Sequence, residues 1–305
     1  ADYLALAETG DLTVRIWQGA TGVGDDLASL AQVKTDVATR VPATRGPLLE
    51  VGFVKLMADG VLSAHTAALL EPYSDRPDER GLPRMTASTL SAAVRTANQA
   101  GFPVAVHAIG DRAVRMALDA FEAAADAGVL PDWPNRIEHV EVVSPEDAPR
   151  FAQLGVLASF NPHHCITGID VYNTERLGPE RAPWSFAWGR LRDQGASLVL
   201  GSDWATAPLD PLRQLYAATL REKPSGGPEG GWHPDNTLTW REALTAYTLA
   251  PAEASGWDSE VGSLSVGKWA DFVVLDGAIP EPMDRTLLDR QVRATYLAGE
   301  AVFQQ

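Results

Sequence analysis

Short apolar runs recur along the chain, each separated from the next by a stretch whose apolar positions fall at helical spacing. LTVRIWQG (12–19), where Leu12, Val14 and Ile16 alternate with polar neighbours, predicts a first strand, and a helix is expected over 25–39. GFVKLMADG predicts a short strand ending on an Asp-Gly turn. Residues 60–86, rich in Pro and Asp, predict a long polar connection, and loops of that length in a compact domain are usually functional. From Thr86 the rhythm is regular: helix 88–100 stopped by Gly101, strand 103–108, an alanine-rich helix 111–127 closed by Gly128, and strand 136–140. SPEDAPRFAQLG predicts a helix with Ser144 as cap, Pro145 at its first position, Asp147 at its third, and Gly155 at its end. Strand 156–160 follows, then a second long loop, 161–183, carrying His163, His164 and Tyr172. A helix over 184–194 leads to strand 197–201, and helices are expected over 211–221 and 239–249.

Strands alternating with helices imply a parallel sheet with right-handed crossovers. The pattern supplies six such strands, whereas a closed barrel of this kind takes eight. The expectation is an α/β fold: a (β/α)8 TIM barrel lacking its first strands over 1–258, its beginning outside the quoted sequence. The tail changes character. GSLSVGKWADFVVLD and VRATYLAGEAVF read as strands joined by a loop, so 259–305 is expected to form part of a small β-sandwich.

Bulk properties narrow the classes. A net charge of -15 repels nucleic-acid phosphates and anionic lipid, so neither nucleic acid nor a membrane is an expected partner. No apolar run reaches the length of a membrane span, and ADYLALAETGDL lacks the layout of a secretory signal. Cys165 stands alone, which excludes an intrachain disulfide and fits a reducing cytoplasm.

The candidate chemistry sits on the strands. Lys55 lies mid-strand with Asp59 at the strand's end, and His107, His139 and Asp203 close three later strands. A parallel barrel gathers the carboxyl ends of its strands on one face, where two imidazoles and a carboxylate suit a divalent cation. Each residue also has a plainer reading: a hydrogen-bonded core histidine, a lysine paired with Asp59, an aspartate capping a turn. A lysine flanked by Val54 and Leu56 loses charge on burial, and a neutral amine can take up carbon dioxide as a carbamate that bridges metals. Asp111 and Glu138 are candidates to orient the imidazoles.

VKLMADG, VAVHAIGDRAVRMALDAFE, RIEHVEVVSPEDAPRFAQLGVLASFNPHH, GSDW and GSLSVGKWADFVVLD resemble the amidohydrolase superfamily, most closely its YtcJ-like branch, which includes N-substituted formamide deformylases. The resemblance runs from about Leu12 to the end. It implies a metal-bearing barrel with Lys55, His107, His139 and Asp203 as ligands to one or two divalent ions, zinc foremost. Lys55 would carry the carbamate, and Asp203 would serve also as the proton carrier. It implies hydrolysis of a carbon–nitrogen bond in an amide, formamide or cyclic amide, with His65, Asn161, His163, His164 and Trp204 within reach of the substrate. A deaminase or lactonase on the same scaffold, or a barrel that only binds ligand, remains an alternative. The family's first-strand His-x-His pair does not occur here, in agreement with the strand count, so a separate N-terminal segment completing the barrel is an expected partner. A homodimer is the commonest assembly for such a chain.

Overall fold

Period-two alternation puts two kinds of side chain on opposite faces of each strand. In the computed structural model, which describes residues 2–22, 27–169 and 174–305, those faces become a core and a cavity. β1 (Ile16–Thr21), β2 (Leu49–Met57), β3 (Val104–Ala108), β4 (Arg136–His139), β5 (Leu157–Phe160) and β6 (Leu198–Leu200) form one parallel sheet in sequential order, with β1 and β6 at its edges. Lys55 lies opposite Ala105, Met57 opposite His107, and His107 opposite Glu138. Val54, Leu56, Val104, Val106 and Ile137 therefore share the other face, buried in the main apolar core. Burying an aliphatic side chain of this size stabilises the fold by about 1.5–3 kcal/mol. Lys55, His107 and Glu138 face the cavity instead.

The helices are α1 (Asp2–Thr9), α2 (Leu27–Arg40), α3 (Ala87–Gln99), α4 (Asp111–Asp126), α5 (Ala148–Leu154), α6 (Pro162–Gly168), α7 (Gly178–Arg181), α8 (Trp188–Asp193), α9 (Pro211–Leu220), α10 (Trp240–Tyr247) and α11 (Leu249–Ser255). α3 and α4 pack on the sheet through Leu90, Val94, Val114, Ala117 and Phe121. Thr86 caps α3 by accepting the Thr89 N–H at 3.1 Å, and Thr239 forms a capping box with Glu242 at α10. No helix among the described residues is long and apolar enough to cross a membrane.

Several expected boundaries move. The first strand starts at Ile16: Leu12 is buried in a separate cluster and Val14 is exposed. Asp25, where the next helix was expected to start, and Tyr172 lie outside the described residues. The helix expected from Pro145 begins at Ala148; Ser144 opens the turn before it, its hydroxyl accepting the Glu146 N–H at 3.3 Å and its carbonyl the Asp147 and Ala148 N–H groups. Most consequentially, His163 and His164 lie on α6 and not in a loop, with Pro162 at a helix start that tolerates proline.

The tail forms three antiparallel strands, β7 (Phe272–Leu275), β8 (Val292–Leu297) and β9 (Glu300–Gln304), where two were expected. Ala298 and Gly299, with φ of 51° and 84°, fold VRATYLAGEAVF into a hairpin. Arg15 clamps this sheet's Asp271 with two hydrogen bonds of 2.5 and 2.8 Å while donating to the carbonyls of Arg45 and Pro47. Leu297 shares an apolar cluster with Ala7, Leu12 and Leu49, so the first helix and the last sheet pack together.

Candidate metal centre

His107 closes β3 facing inward, as the alternation requires. Its Nε2 donates to the Gly60 carbonyl at 2.9 Å; a carbonyl only accepts, so Nε2 carries the proton and Nδ1 keeps its lone pair. Gly60 is held by its neighbour. The fully buried Asp59 carboxylate accepts N–H bonds from Ala68 (2.9 Å), Ile109 (3.0 Å) and Gly110 (2.9 Å), tying the loop after β2 to the end of β3. The ion pair of Lys55 with Asp59, one of the plainer readings, is not formed: Asp59 is satisfied by backbone, and no ion pair of Lys55 closer than 4 Å occurs among the described residues.

His139 reaches the same cavity by another route. Alternation after Ile137 and Glu138 would turn it toward the core, but the backbone reverses there, with φ of 77° at His139 and 44° at Val140. Such conformations are uncommon for residues with a Cβ and cluster at functional sites. The His139 Nδ1 donates to Asn161 Oδ1 at 2.7 Å, and the Asn161 amide group donates to the Gly201 carbonyl at 3.4 Å. The amide's nitrogen thus faces Gly201, its oxygen faces His139, and the imidazole's Nε2 is left unprotonated with a free lone pair. Orientation of a ligating histidine by a neighbour that accepts from its other nitrogen is the usual arrangement at metal sites. Asp111 does not serve in that way, since it accepts from the Leu70 and Arg112 backbones, and Glu138 is taken by Arg136 at 2.6 Å.

The rings of His107 and His139 meet edge to face, 4.6 Å apart. His164, from α6, lies nearly parallel to His139 at 6.2 Å. Asp203 follows β6 with a φ of 58°, and its carboxylate, His139 and His164 bring one donor atom each to within 4.8 Å of one another.

Burial, reinforced by its neighbour His139, pushes His107 down to about 4, and burial with the Lys55 charge does the same to His139. Both imidazoles are neutral at neutral pH, as ligands must be. Burial lowers Lys55 against the opposing charge of Glu138. Glu138 itself stays below the usual carboxylate range: burial raises it, but the Arg136 and Lys55 charges prevail. Glu141 was missed in the sequence. Burial and the charges of Asp59 and Asp203 raise it to about 8.

Lys55, His107, His139, Asn161, His164 and Asp203 all line one cavity of about 1140 Å³. Three other expected contacts are not among its lining residues. His65 binds Asp75 at 2.8 Å beside a smaller cavity, His163 is held through its backbone N–H by Gln214, and Trp204 is 69% exposed. A divalent cation fits the residues present: two neutral imidazoles whose remaining lone pairs are fixed by Gly60 and Asn161, with a carboxylate beside them.

A family model described as the amidohydrolase family matches residues 1–303. The putative amidohydrolase YtcJ of Bacillus subtilis (strain 168) is 32% identical over 263 residues, covering 85% of this chain and 48% of the relative. The N-substituted formamide deformylase of Arthrobacter pascens is 28% identical over 278 residues, covering 90% of this chain and 50% of the relative. Among solved structures, an uncharacterized metal-dependent hydrolase from Pyrococcus horikoshii OT3 superposes with a TM-score of 0.71 at 32% identity, over 87% of this chain and 50% of that one. The chain spans about half the length of the proteins it matches.

Proposed function

The chain belongs to the amidohydrolase family, on its YtcJ-like branch, and from that premise we propose that it carries most of the active site of a metal-dependent hydrolase. The bond cleaved is carbon–nitrogen but not peptide, in an amide, formamide or cyclic amide. The observation that carries this reading is the convergence of His107, His139 and Asp203 on one cavity with Lys55, both imidazoles neutral and oriented by Gly60 and Asn161. Lys55 (as its carbamate), His107, His139 and Asp203 would hold one or two divalent cations, zinc by the chemistry of the donors. When bound, the cation supplies a Lewis acid that polarises a carbonyl oxygen and lowers the pKa of water to about 7.

The chain's own residues do the rest. Asp203 takes a proton from water as the water oxygen bonds to the carbonyl carbon. It then delivers that proton to the nitrogen as the carbon–nitrogen bond breaks. Asn161 holds His139 in the tautomer that leaves Nε2 free, and Gly60 holds His107 in the opposite one, which leaves Nδ1 free. Met57, Leu62 and Ile109 give the cavity an apolar wall against which the substrate's apolar part can pack.

Residues 1–258 are then strands three to eight of an eight-stranded barrel and 259–305 part of its small β-sandwich. The edges at β1 and β6 are where a separate N-terminal segment would pair. The single cysteine, Cys165, fits a cytoplasmic setting. Hydrolysis of N-substituted formamides, hydantoins and N-acyl amino acids, assayed by amine or acid release before and after chelation, tests the reading. Chelation should abolish turnover and zinc should restore it. Asp203→Asn should lower kcat by about 10²–10⁴-fold while the cation is largely retained. Full activity in Asp203→Asn, or activity indifferent to chelation, would remove the mechanism.

A further inference from the structure

His164 has no part in the ligand set implied by the lysine, the two strand-end histidines and Asp203. It lies on α6, three residues beyond Asn161, with its side chain 16% exposed. Its Nε2 is buried and makes no hydrogen bond among the described residues. Asp203 Oδ2 approaches it at 3.7 Å, outside hydrogen-bond reach. Two ligands of one tetrahedral ion, bonded at about 2.0–2.2 Å, stand about 3.3–3.6 Å apart, so this separation suits a shared cation better than a direct bond. The other ring nitrogen, Nδ1, faces Glu141 Oε1 at 3.9 Å, the side from which metal-bound histidines are ordinarily oriented. His139 closes the group, its own free Nε2 set by Asn161.

We propose that His164 is a direct ligand of a divalent cation shared with His139 and Asp203, its Nε2 bound and its Nδ1 turned to Glu141. The set draws on the turn after β4, the helix after β5 and the turn after β6, so it needs neither a carbamate nor a His-x-His pair. This inference rests on the metal-dependent reading above, and its test separates the two.

Cobalt(II) serves as the probe, titrated into the chelator-stripped full chain and followed by visible absorption and by competition with a chelator. The protein itself should bind cobalt. His164→Ala should weaken that binding by more than about 100-fold and change the absorption envelope, a larger loss than an orienting neighbour alone produces. His164→Gln, close in volume, asks the same question if the alanine variant loses its fold. His163→Ala, outside the cavity lining, should bind as the parent does. Parent-like affinity and spectrum in a folded His164 variant, beside loss of binding in His139→Ala, would overturn the ligand role and leave the hydrolase reading standing. Failure of the parent chain to bind cobalt would overturn both.

Discussion

At His139 the reversed backbone overrides strand parity, and the Asn161 amide then aims a single lone pair. Asn161→Ala would leave the ring free to rotate and its Nδ1 without an acceptor. Cation affinity should then fall about 10–100-fold, read by zinc competition titration; an unchanged affinity would mean the amide does not orient the ring. Glu141 gives a pH signature. Its carboxyl titrates from a reference of 4.5 and is raised to about 8 in the folded chain. Between those values the folded state holds the proton that the unfolded state has released, so stability falls as pH rises, and the contribution is gone above about 8. Glu141→Gln removes that slope. Thermal melting of cation-free protein from about pH 5 to about pH 9 should show the variant gaining on the parent as pH increases. Parallel curves would contradict the burial assigned to this carboxyl. Lys55, His107 and His139 were legible as strand residues, because an isolated polar group in an apolar run is conspicuous; Asp203, expected to close a strand, lies three residues beyond the end of β6. Glu141 was not, since its burial comes from chain segments far away in sequence.

Elements set what each side chain can face. Alternation along β2 and β3 turns Lys55 and His107 away from Val54, Leu56 and Val106. The same rule fails at His139, where the turn after β4 overrides it. α6 was unreadable because NPHHCITG carries no apolar period long enough to distinguish a two-turn helix from a loop. That error concealed how His164 comes to stand beside Asp203. The loop after β2 depends on Asp59, which joins Ala68, Ile109 and Gly110. Asp59→Ala leaves three buried N–H donors without that acceptor, each costing about 1–3 kcal/mol. Urea denaturation should show a loss of at least about 3 kcal/mol, and a loss under about 1 kcal/mol would deny the loop its anchor.

At the scale of the molecule, the six parallel strands and the three-stranded antiparallel sheet found among the described residues are joined by Arg15 on Asp271 and by the cluster around Leu297. The count of six came from the sequence because each strand–helix unit repeats the same punctuation of cap, glycine and apolar run. The third tail strand escaped it, since a hairpin at Ala298 and Gly299 looks like continuous strand in a one-dimensional pattern. Lys55, His107, His139, His164 and Asp203 line one cavity beside the large sheet, where they are proposed to hold a cation. Anomalous diffraction at the zinc edge, from crystals of the full chain loaded with zinc, tests that claim most directly. The account predicts a peak bonded to His139 at about 2.0–2.1 Å, within the cavity shared by Lys55, His107 and Asp203. Zinc bound only at surface carboxylates, with His107 and His139 left unligated, would contradict it.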